Sequence, residues 1–93
     1  SILLQDFNYE VDLKEKSFKK STLAVNSVDG IVVDYSFIDF IEVPLVTATP
    51  ISATSSISAV VSNVSESYCN VQLFDSTGTA ISYGFVNLIA IGV

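Results

Sequence analysis

A chain of 93 residues makes one domain and buries only about 60–65% of its unfolded surface, so a thin stability margin is expected for the single chain. Of its residues 49% are apolar, yet no run of about 18 lacks polar residues, which argues for a globular chain and against a membrane-spanning helix. There is no histidine, which removes Ser-His-Asp, Cys-His and His-based zinc chemistry, and one cysteine, which removes an intrachain disulfide.

The net charge of −6 is unevenly distributed. Residues 1–20 hold all 4 lysines (Lys14, Lys16, Lys19, Lys20) against Asp6, Glu10, Asp12 and Glu15 and sum to zero. Asp29, Asp34, Asp39, Glu42, Glu66 and Asp75 then carry the whole −6 with no basic residue beside them. A body without Lys or Arg cannot track a phosphate backbone or an anionic membrane, so neither nucleic acid nor membrane insertion is expected. No secretory signal is visible at the start, and the lack of Met even at position 1 suggests a piece of a longer protein.

In chain order, Phe7, Tyr9, Val11 and Leu13 alternate with polar residues, a strand pattern of period two. Leu4, Phe7, Val11 and Phe18 also fit a helical spacing, with Asp12–Lys16 and Glu15–Lys19 as i,i+4 pairs. Lys14 spoils that stripe, which favours the strand; residues 1–20 are expected to be a connector or N-terminal strand, and residues 21–93 the domain body. From Ser21 the sequence becomes β-branched and rich in Ser and Thr. Leu23 and Val25 read as a short strand, Asn26–Gly30 as a turn, and Ile31, Val33, Tyr35 and Phe37 as the inward face of the next strand, with Asp34 and Ser36 outward. Phe40 and Ile41 form a corner, Pro44 opens a strand over 45–49, and Pro50 closes it. A strand near 57–62 follows a Ser/Thr-rich link, and Asn63–Ser67 turns into the last third of the chain.

That last third reads as a hairpin, with Asp75 where a type I turn begins and Gly78 where the backbone turns left-handed. Before it Cys69, Val71 and Leu73 share one face. After it Ile81, Tyr83, Phe85, Ile89 and Ile91 share a face interrupted by Asn87, while Val86, Leu88 and Ala90 occupy the other. An antiparallel strand normally shows one face to water, so two apolar faces imply a cover for the second, and a second subunit through Val86, Leu88 and Ala90 is the expected one. Six or seven short strands with turns every eight to twelve residues argue for an all-β antiparallel β-sandwich.

Site chemistry is sparse. Asp34, Asp39 and Glu42 are the remaining carboxylate grouping, but outward and corner positions read as solubilising charges, and no Asp-x-Asp or EF-hand spacing supports a metal. No catalytic residue and no cofactor is expected. Cys69 reads as a small core residue. Asn63-Val64-Ser65 matches a glycosylation acceptor and equally a turn. Tyr68, beside polar loops, suits stacking against a sugar, whereas Tyr83 shares a face with Ile81 and Phe85 and is expected in the core.

The succession Asp34-Tyr35-Ser36-Phe37, Phe40, Pro44-Leu45-Val46, Val60 to Val64, and Asn87-Leu88-Ile89-Ala90-Ile91-Gly92 resembles the H-type lectin-like β-sandwich. It is similar in particular to the versions at the ends of bacteriophage tail fibres and baseplates. In that family a Phe closes one strand, a proline-led strand follows, then a hairpin with a polar tip and a terminal strand ending in a Trp-Ile-Ala-like motif. The resemblance covers residues 21–93 and implies a homotrimer of six-stranded sandwiches that binds sugar at the rim. It therefore implies a non-enzymatic module of the virion, with host cell-surface saccharide or another baseplate protein as partner. Asp75, Ser76 and Thr77 match the sugar-facing tip, and Tyr68 joins them as a candidate. The aromatic, His and Arg of the animal lectins are missing, and Leu88 stands at the terminal Trp, so the resemblance carries the fold and not a sugar specificity.

Overall fold

The computed structural model describes residues 14–52 and 56–93. The alternation at Phe7–Leu13, its helical rival and part of the Ser/Thr-rich link lie outside them. Among the described residues six strands form: β1 (Lys16–Val25), β2 (Ile31–Asp34), β3 (Leu45–Ile51), β4 (Ile57–Ser62), β5 (Tyr68–Asp75) and β6 (Gly84–Gly92). They make two three-stranded antiparallel sheets of order β1-β6-β3 and β2-β5-β4. A one-turn 3-10 helix (Ser36–Ile38) follows β2, and among the described residues no helix is long and apolar enough to cross a membrane.

Alternation decides what is buried. Val33 from β2, Cys69, Val71 and Leu73 from β5, Val25 from β1, and Val86, Leu88 and Ala90 from β6 belong to one core between the two sheets. The subunit seam expected at Val86, Leu88 and Ala90 is therefore corrected: these side chains are 0–1% exposed within the single chain and cannot reach another molecule. The expected hairpin is corrected as well. β5 already has β2 on one edge and β4 on the other, and a strand has only two edges, so β6 has no place beside it. After the turn only Phe74 and Ala80 pair and the Ile81 N–H donates to the Leu73 carbonyl (3.0 Å); the chain then crosses to become the centre of the other sheet. The crossing also breaks the face expected to run from Ile81 to Ile91: Ile81 packs on the core, whereas Tyr83, expected there, is 61% exposed.

β1 runs through the boundary expected at Ser21, with a bulge between Lys20 and Leu23. Lys20 pairs with Leu88 and Leu23 with Val86, so Ser21 and Thr22 together oppose Asn87. Thr22 takes a left-handed conformation (φ 52°) and its N–H donates to Asn87 Oδ1 at 3.0 Å. The bulge moves the inward positions from Phe18 to Leu23 and Val25, from even to odd numbers, which hides the first half of the strand from a simple alternation count. Likewise β3 continues past Pro50 to Ile51, because β3 is an edge strand and a missing N–H on its open side breaks no ladder bond.

Beyond β2 the period of two ends at Tyr35. The Asp34 carboxylate accepts the Ser36 N–H (2.8 Å) and starts the 3-10 turn, which swings Phe37 out to 72% exposure instead of inward as expected. Asp39 closes the turn in a left-handed conformation, and Phe40 returns to the core. Tyr35 itself is fully buried. Its ring meets Phe40 edge-on at 5.6 Å and lies 6.0 Å from Phe18, and its hydroxyl donates to the Ser65 carbonyl (2.8 Å) with the Tyr68 carbonyl 3.0 Å away.

Two outcomes follow from this packing. Gly30 and Gly78 both have positive φ, but a Cβ on Gly30 would lie 2.6 Å from the Val71 carbonyl oxygen, whereas nothing lies within 4 Å of one on Gly78. Gly78→Ala should cost about 1–2 kcal/mol of backbone strain, and Gly30→Ala clearly more, by urea denaturation; equal losses would mean that the close approach to β5 is absent.

Tyr35→Phe should cost about 1–2 kcal/mol, since it removes the phenol donor from the Ser65 carbonyl. Burial pushes the Tyr35 hydroxyl up from 10.0 to about 12, with Cys69 adding to the effect, and burial also raises the Cys69 thiol. The unfolded chain ionises first, so the stability contributed by the neutral phenol is whole below about pH 10 and is lost as pH climbs toward 12. Wild-type protein should therefore lose more stability than Tyr35→Phe over that window; parallel pH profiles would sink the assignment.

Candidate functional site

The loop after β5 is built by Asp75. Its Oδ1 accepts the Thr77 N–H (2.9 Å), the Thr77 hydroxyl (2.6 Å) and the Thr79 N–H (3.0 Å). The Asp75 N–H donates to the Thr79 carbonyl, and the Gly78 N–H to the Asp75 carbonyl, closing the turn with Gly78 left-handed as expected. The Thr77 hydroxyl, followed by the Thr79 and Thr77 amides, holds the Asp75 carboxyl below its ordinary value. Asp75, Ser76 and Thr77 are thus together in one loop, but the carboxylate is committed first to that loop's own backbone.

Tyr68 is at the other end. It begins β5 and Asp75 ends it, and at about 3.4 Å per residue the two are roughly 24 Å apart. The four candidate sugar contacts do not form one site, because an extended strand separates them by more than the span of a monosaccharide. The loop also has no aromatic platform of its own.

What surrounds Tyr68 is chemically richer. The β4–β5 turn is organised by Ser65, whose Oγ accepts the N–H groups of Ser67 (3.2 Å) and Tyr68 (3.1 Å), while its own N–H donates to the Tyr68 carbonyl (2.8 Å). Asn63 occupies an exposed left-handed position in this turn (φ 51°), as the plain turn reading expects. The Tyr68 ring is left 47% exposed. Antiparallel register sets Asp34 directly opposite Tyr68, and the next outward pair is Val32 with Asn70, which Ser62 flanks from β4. An aromatic, a carboxylate, an amide and a hydroxyl therefore share one end of the outer face of the β2-β5-β4 sheet.

Asp34 keeps a lowered pKa through bonds from the Ser36 amide and hydroxyl, which outweigh the opposing effect of desolvation, so it is an ionised acceptor at neutral pH. Reading the sequence linearly missed this grouping. Asp34 and Tyr68 are each visible as outward or loop-side residues, but only the pairing of β2 with β5 makes them neighbours. Asp39 and Glu42, grouped with Asp34 in the sequence, leave it once the 3-10 turn intervenes.

A groove of about 220 Å³ lies elsewhere, at the β1 bulge, lined by Lys19, Lys20, Ser21, Asn87, Leu88 and Ile89. Among the described residues no cluster of three or more His, Cys, Asp or Glu side chains comes together that could hold a metal ion. No protein-family model matches the chain, and neither a curated protein nor a solved structure matches it.

Because Asp75 organises its loop and sits outside the core, Asp75→Ala should speed amide exchange at Thr77 and Thr79 by at least about tenfold while leaving the slowest-exchanging core amides nearly unchanged. Hydrogen exchange followed by NMR reads both quantities; protection unchanged at Thr79 would show that the carboxylate does not hold the loop.

Proposed function

We propose that this chain is a non-enzymatic binding module, an antiparallel β-sandwich of the H-type lectin-like kind that works as a homotrimer on a phage tail fibre or baseplate. In this reading it attaches the virion to host cell-surface saccharide. The phage setting and the trimer rest on the sequence resemblance. The saccharide part is carried by one observation, the half-exposed Tyr68 ring facing Asp34 across the β2–β5 ladder with Asn70 and Ser62 beside it.

The chemistry follows from those residue types. The C–H face of a pyranose packs on the Tyr68 ring, the Asp34 carboxylate accepts from its hydroxyls, and the Asn70 amide both donates and accepts. A shallow, solvent-facing site of this kind gives weak single contacts, and three copies on one particle raise them by avidity. Asp75, Ser76 and Thr77 then form a separate polar rim, and the absence of histidine leaves any turnover without its commonest proton carrier.

A second reading makes the same domain a trimerisation or docking piece that holds another fibre or baseplate component. It is favoured by the exposed apolar residues on the outer face of β3 and β6, Leu45 at 74% exposure and Ile51, Ile89 and Ile91 beside it. The two readings part on a glycan array probed with the intact protein. Saccharide attachment predicts signals on a defined set of glycans that Tyr68→Ala abolishes and Asp34→Asn weakens at least about tenfold, with Asp75→Ala retaining them. A blank array at millimolar-sensitive detection, together with tight capture of a second virion protein, would replace it with the docking reading.

A further inference from the structure

The face that carries Tyr68 has no positive charge of its own. All 4 basic residues of the chain lie within residues 14–20, so β2, β4, β5 and the turns between them contain none. The acids here are Asp34, at the end of β2, and Glu66, in the turn that leads into Tyr68. Lys16, which reaches the corner beyond the 3-10 turn, directs its ammonium to the Asp39 carbonyl (2.7 Å) and not to the Asp34 carboxylate. Among the described residues Asp34 has no ion pair, and its charge is stabilised by neutral donors alone, the Ser36 amide and hydroxyl. Such donors leave the negative charge in place. A carboxylate offers about four acceptor positions, so those bonds leave room for a further partner.

The register adds an aromatic face to that free charge. Residues directly opposite in an antiparallel pair hold their Cβ atoms about 4.5–5.5 Å apart, so the Asp34 carboxylate and the half-exposed Tyr68 ring come within reach of one ammonium group. An ammonium set there is drawn both by the carboxylate and by the negative face of the ring, which attracts a cation within about 6 Å of its centroid. Two residues further along the strands, about 7 Å away, Asn70 and Ser62 supply neutral donors and acceptors. Charge therefore stands at one end of the row and uncharged polar groups at the other.

We infer that this site selects saccharides with a free, protonated amine, a hexosamine in preference to its N-acetylated or carboxylated counterpart. N-acetylation removes the cation and with it both attractions, leaving only stacking and neutral hydrogen bonds. A carboxylated sugar opposes its charge to Asp34 and Glu66 with no lysine nearby to offset them. The inference rests on the saccharide reading of the Tyr68 site and names the class of sugar within it.

NMR titration of the full chain with methyl glucosaminide, methyl N-acetylglucosaminide and methyl glucuronide tests it. The amine form is expected to shift the Asp34, Tyr68 and Asn70 amides and to bind about tenfold more tightly than the N-acetyl form, with the glucuronide weakest. Asp34→Asn should bring the amine form down to the level of the N-acetyl form; its side-chain oxygen can still accept the Ser36 N–H, so the 3-10 turn stays in place. Glu42→Gln, which removes one charge outside this face, should keep the preference. Equal affinity for the amine and N-acetyl forms, both lost in Tyr68→Ala, overturns amine selection and leaves saccharide binding standing. A preference that Glu42→Gln weakens as much as Asp34→Asn overturns it too, because net charge and not this site then draws the amine. Silence toward all three sugars beside a positive glycan array overturns amine selection alone, whereas silence beside a blank array removes the saccharide reading and this inference together.

Discussion

Tyr35 ties the structure together because it links parts of the chain that no strand ladder joins. It follows β2, lies fully buried, and closes with its hydroxyl on the turn that leads into β5. Its N–H donates to the Ser67 carbonyl in the same turn (2.8 Å), so backbone and side chain grip that turn together. A buried phenol is tolerable only with its O–H satisfied, and the Ser65 and Tyr68 carbonyls supply that satisfaction. Phe18 and Phe40 complete the contact from β1 and from the corner before β3, which brings both sheets and the 3-10 turn to one aromatic cluster. Fixing the turn also fixes where Tyr68 begins β5, so the interior contact positions the candidate site on the outside.

Small polar groups set the irregular points. Asn87 receives the Thr22 amide across the β1 bulge, Asp34 starts the 3-10 turn, Ser65 gathers the β4–β5 turn, and Asp75 folds the loop after β5. Each replaces ladder bonds that the backbone gives up where it departs from regular pairing. Each also changes the parity of inward positions or the direction of the chain. With one core shared by two three-stranded sheets, such local changes decide which residues are inside.

Acidic and basic charge are segregated by sheet, the lysines Lys16, Lys19 and Lys20 lying on β1. All six acids after residue 20 lie on β2, at the end of β5 or in turns, and the β1-β6-β3 sheet carries none. The outer face of that sheet sets Leu45, Ile51, Ile89 and Ile91 among Lys19, Thr47, Thr49 and Asn87, while the opposite outer face has an acid, amides and hydroxyls.

The sequence by itself determined the all-β character, the bounds of β4, the inward placement of Cys69, Val71 and Leu73, the Asp75–Gly78 turn, and the fact that the last strand is apolar on both sides. These are local properties: alternation with a period of two, and turn residues whose backbone preferences need no distant partner. Tertiary structure alone decided which apolar face of β6 is the interior, because that depends on β5 already having both edges filled. It also decided that Phe37 and Tyr83 leave the core and that β1 starts at Lys16, since a 3-10 turn, a crossing and a bulge each shift the inward parity. The candidate site divides in the same way: Tyr68 could be read from the chain as a stacking residue, but its neighbour Asp34 is 34 positions away in sequence and is brought opposite only by the β2–β5 register.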